Sequence, residues 1–112
     1  MPAELDLLRG TLDLFVLKAL TWGPMHGLAI VRWIESVTDD GLQVEEGALY
    51  PALHRMEQRE WIAGEWGTSE TNRRARFYRM TPAGRRAYAA QLDAWKRYTT
   101  AADLILSARG AA

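Results

Sequence analysis

The fold class of this chain is most evident in the stretch ALYPALHRMEQ, residues 48–58. Its apolar residues Leu49, Leu53 and Met56 recur at helical spacing, which predicts a short helix with one buried side. Pro51 lacks a backbone N–H and fits a helix best in the first turn, so the helix should begin at the start of this stretch or up to two residues earlier. The other side carries aromatic and polar groups that a core does not need.

Two helices are predicted before this stretch. Residues 5–22 carry apolar side chains on more than one side, a pattern that a small core and a subunit partner would bury together. Gly23-Pro24 ends this helix, and the turn that follows includes His26. Residues 27–37 have a single apolar face and predict the second helix, which ends before the turn at residues 39–41.

A hairpin and a long helix are predicted after it. Trp61–Trp66 and Ala75–Met80 resemble strands, and the polar loop 67–72 joins them. Arginines cluster where the second strand begins. Thr81-Pro82 is a strong helix start, with threonine as N-cap and proline at the first position. The last helix has a heptad-like seam longer than a small core requires; its members are Tyr88, Leu92, Trp95, Thr99, Ala102 and Leu106.

Positive charge is concentrated in the second part of the chain. The chain holds 14 basic and 14 acidic residues, but residues 1–46 have a net charge of −5 and residues 47–112 a net charge of +5. Twelve of the basic residues are arginine, whose planar fork fits phosphate and guanine edges. This asymmetry makes a nucleic-acid partner admissible, although a solvated arginine-rich surface is the alternative.

Several classes of protein are disfavoured. The chain has no cysteine, which excludes disulfide scaffolds, thiol catalysis and cysteine–zinc sites. No run of 18 apolar residues and no signal-like start occur, so we expect a cytoplasmic protein without a membrane partner. His54 and Glu57 lack further ligands at metal-binding spacing, and no nucleophile has a credible base. We therefore expect no metal, no cofactor and no enzymatic activity.

The order of elements is that of a winged helix–turn–helix. We expect a mainly α fold with a small β-hairpin, in which residues 1–81 form the DNA-binding domain and residues 82–109 a dimerisation helix. In this fold the third helix enters the major groove, and the hairpin, or wing, lies on the backbone or in the minor groove. The candidate DNA contacts are Gly47, Ala48, Tyr50, Pro51, His54, Arg55, Arg73, Arg74 and Arg76.

Three runs carry a family resemblance. EGALYPALHRME, residues 46–57, resembles the recognition helix of the PadR family of bacterial transcriptional regulators. RRARFYRMTPAGR, residues 73–85, resembles that family's wing strand and its entry into the last helix, and GPMHG, residues 23–27, resembles its first inter-helix turn. Three positions depart from the pattern: Ala48 replaces a frequent serine or threonine, Glu60 a usual glycine, and Leu28-Ala29 a tyrosine with a polar residue.

The resemblance implies a homodimeric repressor in which the C-terminal helix packs on the partner's N-terminal helix. The implied interface consists of Leu5, Leu8, Leu12, Tyr88, Leu92, Trp95, Ala102 and Leu106. Trp95 is first a packing residue, but many members of the family respond to small molecules, and this indole is a candidate to stack on a flat aromatic effector. The expected partner is an operator in double-stranded DNA. The alternative is a winged-helix module that binds another protein.

Overall fold

The computed structural model describes residues 2–111, with side chains described from Thr11 onward. The elements are α1 (Pro2–Leu20), β1 (Met25–His26), α2 (Gly27–Val37), α3 (Glu46–Gln58), β2 (Ile62–Thr68), β3 (Arg74–Met80) and α4 (Pro82–Leu106). The predicted fold class, a winged helix–turn–helix followed by one long helix, is confirmed. The hairpin is larger than expected, because β1 adds a third antiparallel strand in the order β1-β3-β2. Residues 23–27 were predicted as a turn. Strand β1 has only two residues, which is too short a segment to show the alternating pattern of a strand.

Helix α1 lies at the centre of the core. It packs against α2, α3, α4 and β3, and its side chains Val16, Leu17 and Ala19 are completely buried. The prediction that this helix is buried on more than one side is confirmed within a single chain. Each large aliphatic side chain buried in this way contributes about 1.5–3 kcal/mol.

Helix α3 begins at Glu46, so Pro51 lies inside the helix instead of in its first turn. Proline has no N–H to donate, and the Gly47 carbonyl therefore lacks the hydrogen bond it would receive from position 51. Gly47 is exposed and has open space around its Cα, which lets the backbone adjust to the proline ring. The start of α3 lies within the predicted range, but Pro51 lies one turn further into the helix than predicted.

The end of α3 has the geometry of a glycine turn without a glycine. Glu60 has φ of 62°, and its N–H donates to the Glu57 carbonyl at 2.9 Å while the Trp61 N–H donates to the Met56 carbonyl at 2.9 Å. These two hydrogen bonds form a Schellman motif. A side chain in the left-handed region costs about 1–2 kcal/mol. The departure at Glu60 therefore leaves the turn in place at a cost in stability.

The start of α4 is fixed against this turn. Thr81 caps the helix as predicted, because its hydroxyl oxygen accepts the Gly84 N–H at 3.0 Å. The same hydroxyl donates to the Glu60 carbonyl at 2.6 Å, and the Thr81 N–H donates to the Trp61 carbonyl at 3.0 Å. A Cβ at Gly84 would overlap that Trp61 carbonyl. The wing and α4 are therefore joined by a close backbone contact that requires glycine.

The last turns of α4 extend away from the core, and the molecule measures 60 × 30 × 22 Å. Leu104, Ile105 and Leu106 are 68%, 72% and 83% exposed. The predicted interface is wrong at Leu12, because this side chain is 1% exposed and packs in the hydrophobic core of the same chain. The side chains of the other α1 interface candidates, Leu5 and Leu8, lie outside the described residues.

We expect Glu60→Gly to raise the free energy of unfolding by about 0.5–1 kcal/mol, because relief of the left-handed strain exceeds the entropy that glycine adds to the unfolded chain. Denaturant unfolding measures this change. Glu60→Ala is the control: it removes the same carboxylate but keeps the strain, so it should not stabilise. Equal stabilisation by both variants would attribute the effect to charge instead of backbone geometry.

Candidate nucleic-acid interface

One side of α3 remains uncovered. Leu49, Ala52, Leu53 and Met56 enter the core, while Gly47, Tyr50, Pro51, His54 and Gln58 form an exposed stripe along the opposite side. We call these five residues the α3 stripe. Four of them are predicted DNA contacts; a fifth candidate on this helix, Ala48, is half-buried and packs against the core.

Tyr50 is neither a core aromatic nor a free side chain. It is 48% exposed, and a Cβ at Gly27 would lie 3.2 Å from both its ring and its hydroxyl oxygen. The phenol therefore rests on the first residue of α2. This contact holds the hydroxyl at the junction of α2 and α3.

The wing, which consists of β2, β3 and the loop 69–73, has an ordered end. The Ser69 N–H donates to the Arg73 carbonyl at 2.8 Å, and the Arg73 N–H donates to the Ser69 hydroxyl at 3.3 Å. Asn72 closes the turn with φ of 61°. The Arg73 side chain is exposed on this loop, so the backbone holds a guanidinium group at the end of the wing.

Aromatic rings and guanidinium groups alternate on one face of the wing. Trp66 is paired in register with Arg76, and the guanidinium carbons of Arg74 and Arg76 lie 4.6 and 5.8 Å from its ring centroid. Arg76 also lies 6.0 Å from the ring of Tyr78. These are cation–π contacts, which hold long side chains in place while their outer edges stay available to an anion.

Arg76 has a second contact, which ties the wing to α3. Its Nη2 donates to Oε2 of Glu57 at 2.6 Å, and this hydrogen bond raises the pKa of the Arg76 guanidinium. Gly64 leaves room for the side chain to pass, since a Cβ there would lie 2.5 Å from Arg76 Nε. Burial raises the pKa of the neighbouring Tyr78 phenol, and the charge of Glu57 adds to this effect. The sequence predicted that Arg76 contacts DNA, but in the structure its guanidinium group is paired with Glu57.

Arg55 is also paired within the protein. Its Nη2 donates to Oδ1 of Asp13 on α1 at 3.2 Å, and the Arg55 and Asp13 side chains are 41% and 15% exposed. The guanidinium thus lies toward α1, beside the α3 stripe instead of on it. His54 is the exposed member of this pair of neighbours.

The start of α2, Tyr50 and the wing enclose an open cleft of about 680 Å³, which we call the wing cleft. Three of its lining residues were not among the predicted DNA contacts: Arg32 on α2, Trp66 on β2 and His26. His26 was predicted in a turn, but it belongs to β1 and caps α2, its Nδ1 accepting the Ala29 N–H at 3.2 Å. The complete lining is His26, Gly27, Leu28, Arg32, Tyr50, Trp66, Ser69, Glu70, Thr71, Arg73, Arg74, Ala75, Arg76 and Tyr78.

The chemistry of this surface is that of binding. Guanidinium groups, helix N–H groups and exposed aromatic rings suit phosphates, sugars and base edges. Within the part of the chain that the structure describes, no group of three His, Cys, Asp or Glu residues could hold a metal ion.

The comparison with known families agrees with this architecture. Residues 16–90 match the model of the transcriptional regulator PadR-like family. The chain belongs to this family. PadR-like proteins are DNA-binding transcriptional regulators and not enzymes, so the predicted class of function is confirmed.

Individual relatives cover between 70% and 96% of the PadR-like chain. It is 31% identical to a transcriptional regulator from Clostridium thermocellum, with a TM-score of 0.80 over 88% of this chain and 95% of that one. A PadR family transcriptional regulator from Eggerthella lenta is 30% identical, with a TM-score of 0.78 over 96% and 92%. A transcriptional regulator from Mycobacterium tuberculosis is 34% identical over 70% of each chain. Among the described residues, no helix of the PadR-like chain has the length and apolar character needed to cross a membrane.

The contact between wing and α3 can be tested with a double-mutant cycle. We expect Glu57→Ala and Arg76→Ala each to lower the midpoint of thermal unfolding, and the double variant to lose less than the sum of the two, because either change alone breaks the same ion pair. Arg76→Lys should keep the charge but lose the planar contact with Trp66. Strictly additive losses would mean that the 2.6 Å contact does not couple the two elements.

Proposed function

We propose that this PadR-like regulator is a homodimeric repressor that binds a pseudo-palindromic operator. The observation that carries the proposal is that Tyr50 of the α3 stripe and the wing arginines Arg73 and Arg74 line one cleft. A duplex that receives α3 in its major groove would then meet the wing on the adjacent backbone. Two such surfaces in a dimer would enter successive major grooves roughly 34–36 Å apart. The proposal places the protein in the cytoplasm, where an operator is accessible.

The residues divide into two roles. In the proposal His54, with Gly47, Ala48, Tyr50 and Pro51 around it, lies against base edges or the adjacent backbone. Arg73 and Arg74 bind phosphates, while Arg76 positions the wing through Glu57. Phosphate contacts supply affinity without sequence preference, and base contacts supply specificity.

Arg73→Ala or Arg74→Ala should weaken binding to operator and random DNA alike, and each should reduce the salt slope of the binding constant by about one. Fluorescence anisotropy over a range of salt concentrations measures this slope. The matched control is Arg79→Ala, which removes the same charge from the opposite face of β3 and should leave the slope nearly unchanged. Equal slopes for all variants would argue against the wing arginines as phosphate contacts, and a folded dimer that binds no duplex at low salt would favour a protein-binding module.

Arg55 reaches DNA in this proposal by exchanging Asp13 for a phosphate or a guanine edge. Asp13→Asn should therefore strengthen DNA binding, because it removes the competing carboxylate, whereas Arg55→Ala should weaken binding to the operator more than binding to random DNA. Anisotropy on both duplexes measures the two effects. If both variants bind DNA like the wild type, Arg55 only holds α3 against α1.

The exposed end of α4 supports the proposed dimer. Its last turn carries the three apolar side chains described above, and the seam position Leu106 is the most exposed of them. Leu106→Glu should shift the protein toward monomers in analytical ultracentrifugation, because it places a charge on the seam. Leu104→Glu, about half a turn away around the helix, is the control and should remain dimeric. A wild-type monomer at micromolar concentration would contradict the proposal.

Trp95 is the proposed effector contact. Its ring meets Phe15 of α1 edge-on, with centroids 6.4 Å apart, and lies 6.4 Å from the ring of Tyr98. A second chain packed on α4 would enclose these rings in an aromatic cleft. In the proposal a flat aromatic compound stacks there and alters DNA affinity, an effect that Trp95→Leu should abolish in a gel-shift assay.

A further inference from the structure

We propose that the wing cleft contains a phosphate-binding site built on the Nε2 donor of His26 and the arginines that line the cleft, and that the carboxylate of Glu70 covers this site in the free protein. The inference rests on the proposed function only where the phosphate belongs to DNA. A free phosphate group has the same chemistry, and the experiment below distinguishes the two sources.

His26 presents a donor whose direction is fixed. The side chain is 10% exposed, and its Nδ1 accepts the Ala29 N–H, so the neutral ring carries its proton on Nε2. Edge-on packing against Phe77, with centroids 5.3 Å apart, holds the ring in this orientation. Within the described part of the chain, buried Nε2 has no hydrogen-bond partner. A buried N–H donor without an acceptor is unfavourable, and an acceptor brought to this position would be bound well.

The acidic side chain nearest to this donor belongs to the wing loop. Oε1 of Glu70 lies 4.0 Å from His26 Nε2, which is too far for a hydrogen bond. The Glu70 side chain is 76% exposed and therefore free to turn away. It is also the one acidic residue among the described residues that line the wing cleft. Glu70 thus holds negative charge near the donor without satisfying it.

The surroundings suit a tetrahedral anion better than a carboxylate. Gly27 and Leu28, at the N-terminal end of α2, line the same cleft, so the positive end of the helix dipole lies at its edge. Arg32 and Arg73 line its cationic sides. A phosphate oxygen accepting from His26 Nε2 would leave further oxygens for the two guanidinium groups, whereas Glu70 offers only two oxygens and is attached to the wing. Binding would therefore displace the Glu70 carboxylate toward solvent.

The test uses inorganic phosphate as the probe and histidine NMR as the readout. The chain has only two histidines, so signals of His26 are assigned by comparison with a His54→Gln variant. At constant ionic strength, phosphate should shift the His26 ring signals and the backbone N–H signals of Gly27 and Leu28. Glu70→Gln should tighten phosphate binding about tenfold relative to Glu65→Gln, because only the former removes the covering charge.

Two variants keep the test interpretable. Glu65→Gln removes the same charge from β2. Glu65 is paired with Phe77 and lies two strands from His26 on the same face of the sheet, so it serves as the matched control for a nearby charge that does not cover the donor. His26→Asn retains a capping oxygen for α2 but loses the Nε2 donor. It should weaken phosphate binding about tenfold, with circular dichroism verifying the fold. Phosphate shifts that are absent, or equal effects of Glu70→Gln and Glu65→Gln, would overturn the inference.

A second arm uses a random-sequence duplex with the same variants. If Glu70→Gln also strengthens DNA binding beyond Glu65→Gln, the phosphate belongs to the DNA backbone. If only inorganic phosphate responds, the inference holds for a free phosphate group. If the protein binds phosphate but no duplex, this inference is retained and the proposed function is refuted. If DNA binding depends on Arg73 but not on Glu70 or His26, and phosphate causes no shifts, the proposed function is retained and this inference is refuted.

Discussion

The ion pair between Glu57 and Arg76 sets the geometry of the whole surface. A two-stranded wing has little core of its own, and its position relative to α3 must be fixed by contacts between the two elements. At 2.6 Å this pair joins the last part of α3 to the middle of β3, and Gly64 keeps its path open. Trp66 then stacks on the same guanidinium group. The cost is that one of the predicted phosphate contacts is engaged inside the protein.

Local patterns in the sequence predicted most of the elements. The bounds of α2, the N-cap Thr81 and the buried side of α3 all depend on neighbours three or four residues away, which a single sequence displays. The left-handed turn at Glu60 was visible only as a departure from a usual glycine. Strand β1 was missed because its two residues pair with β3, which is distant in the chain.

Two of the predicted DNA contacts are paired within the free protein for the same physical reason. Arg55 and Arg76 are arginines at positions suited to DNA contact, but their carboxylate partners lie 42 and 19 residues away in the sequence, so no local pattern shows them. Leu12 was assigned to a partner because its own core was invisible in the same way. Conversely, the sequence indicated only a turn at His26, because its packing against Phe77 of β3 depends on elements that meet only in the folded chain. Sequence patterns identified the charged side chains, but only tertiary contacts determine which of them are paired with a carboxylate of the same chain.

In the proposed function the start of α2, the α3 stripe and the wing form a single DNA-binding surface. The most direct measurement is the map of backbone NMR shifts upon addition of a short duplex. We expect the shifts to concentrate in residues 27–32, in the α3 stripe and in residues 69–76, and the signals of residues 98–106 of α4 to remain unchanged. A map concentrated on α4, or on the opposite face of the wing around Arg79, would contradict it.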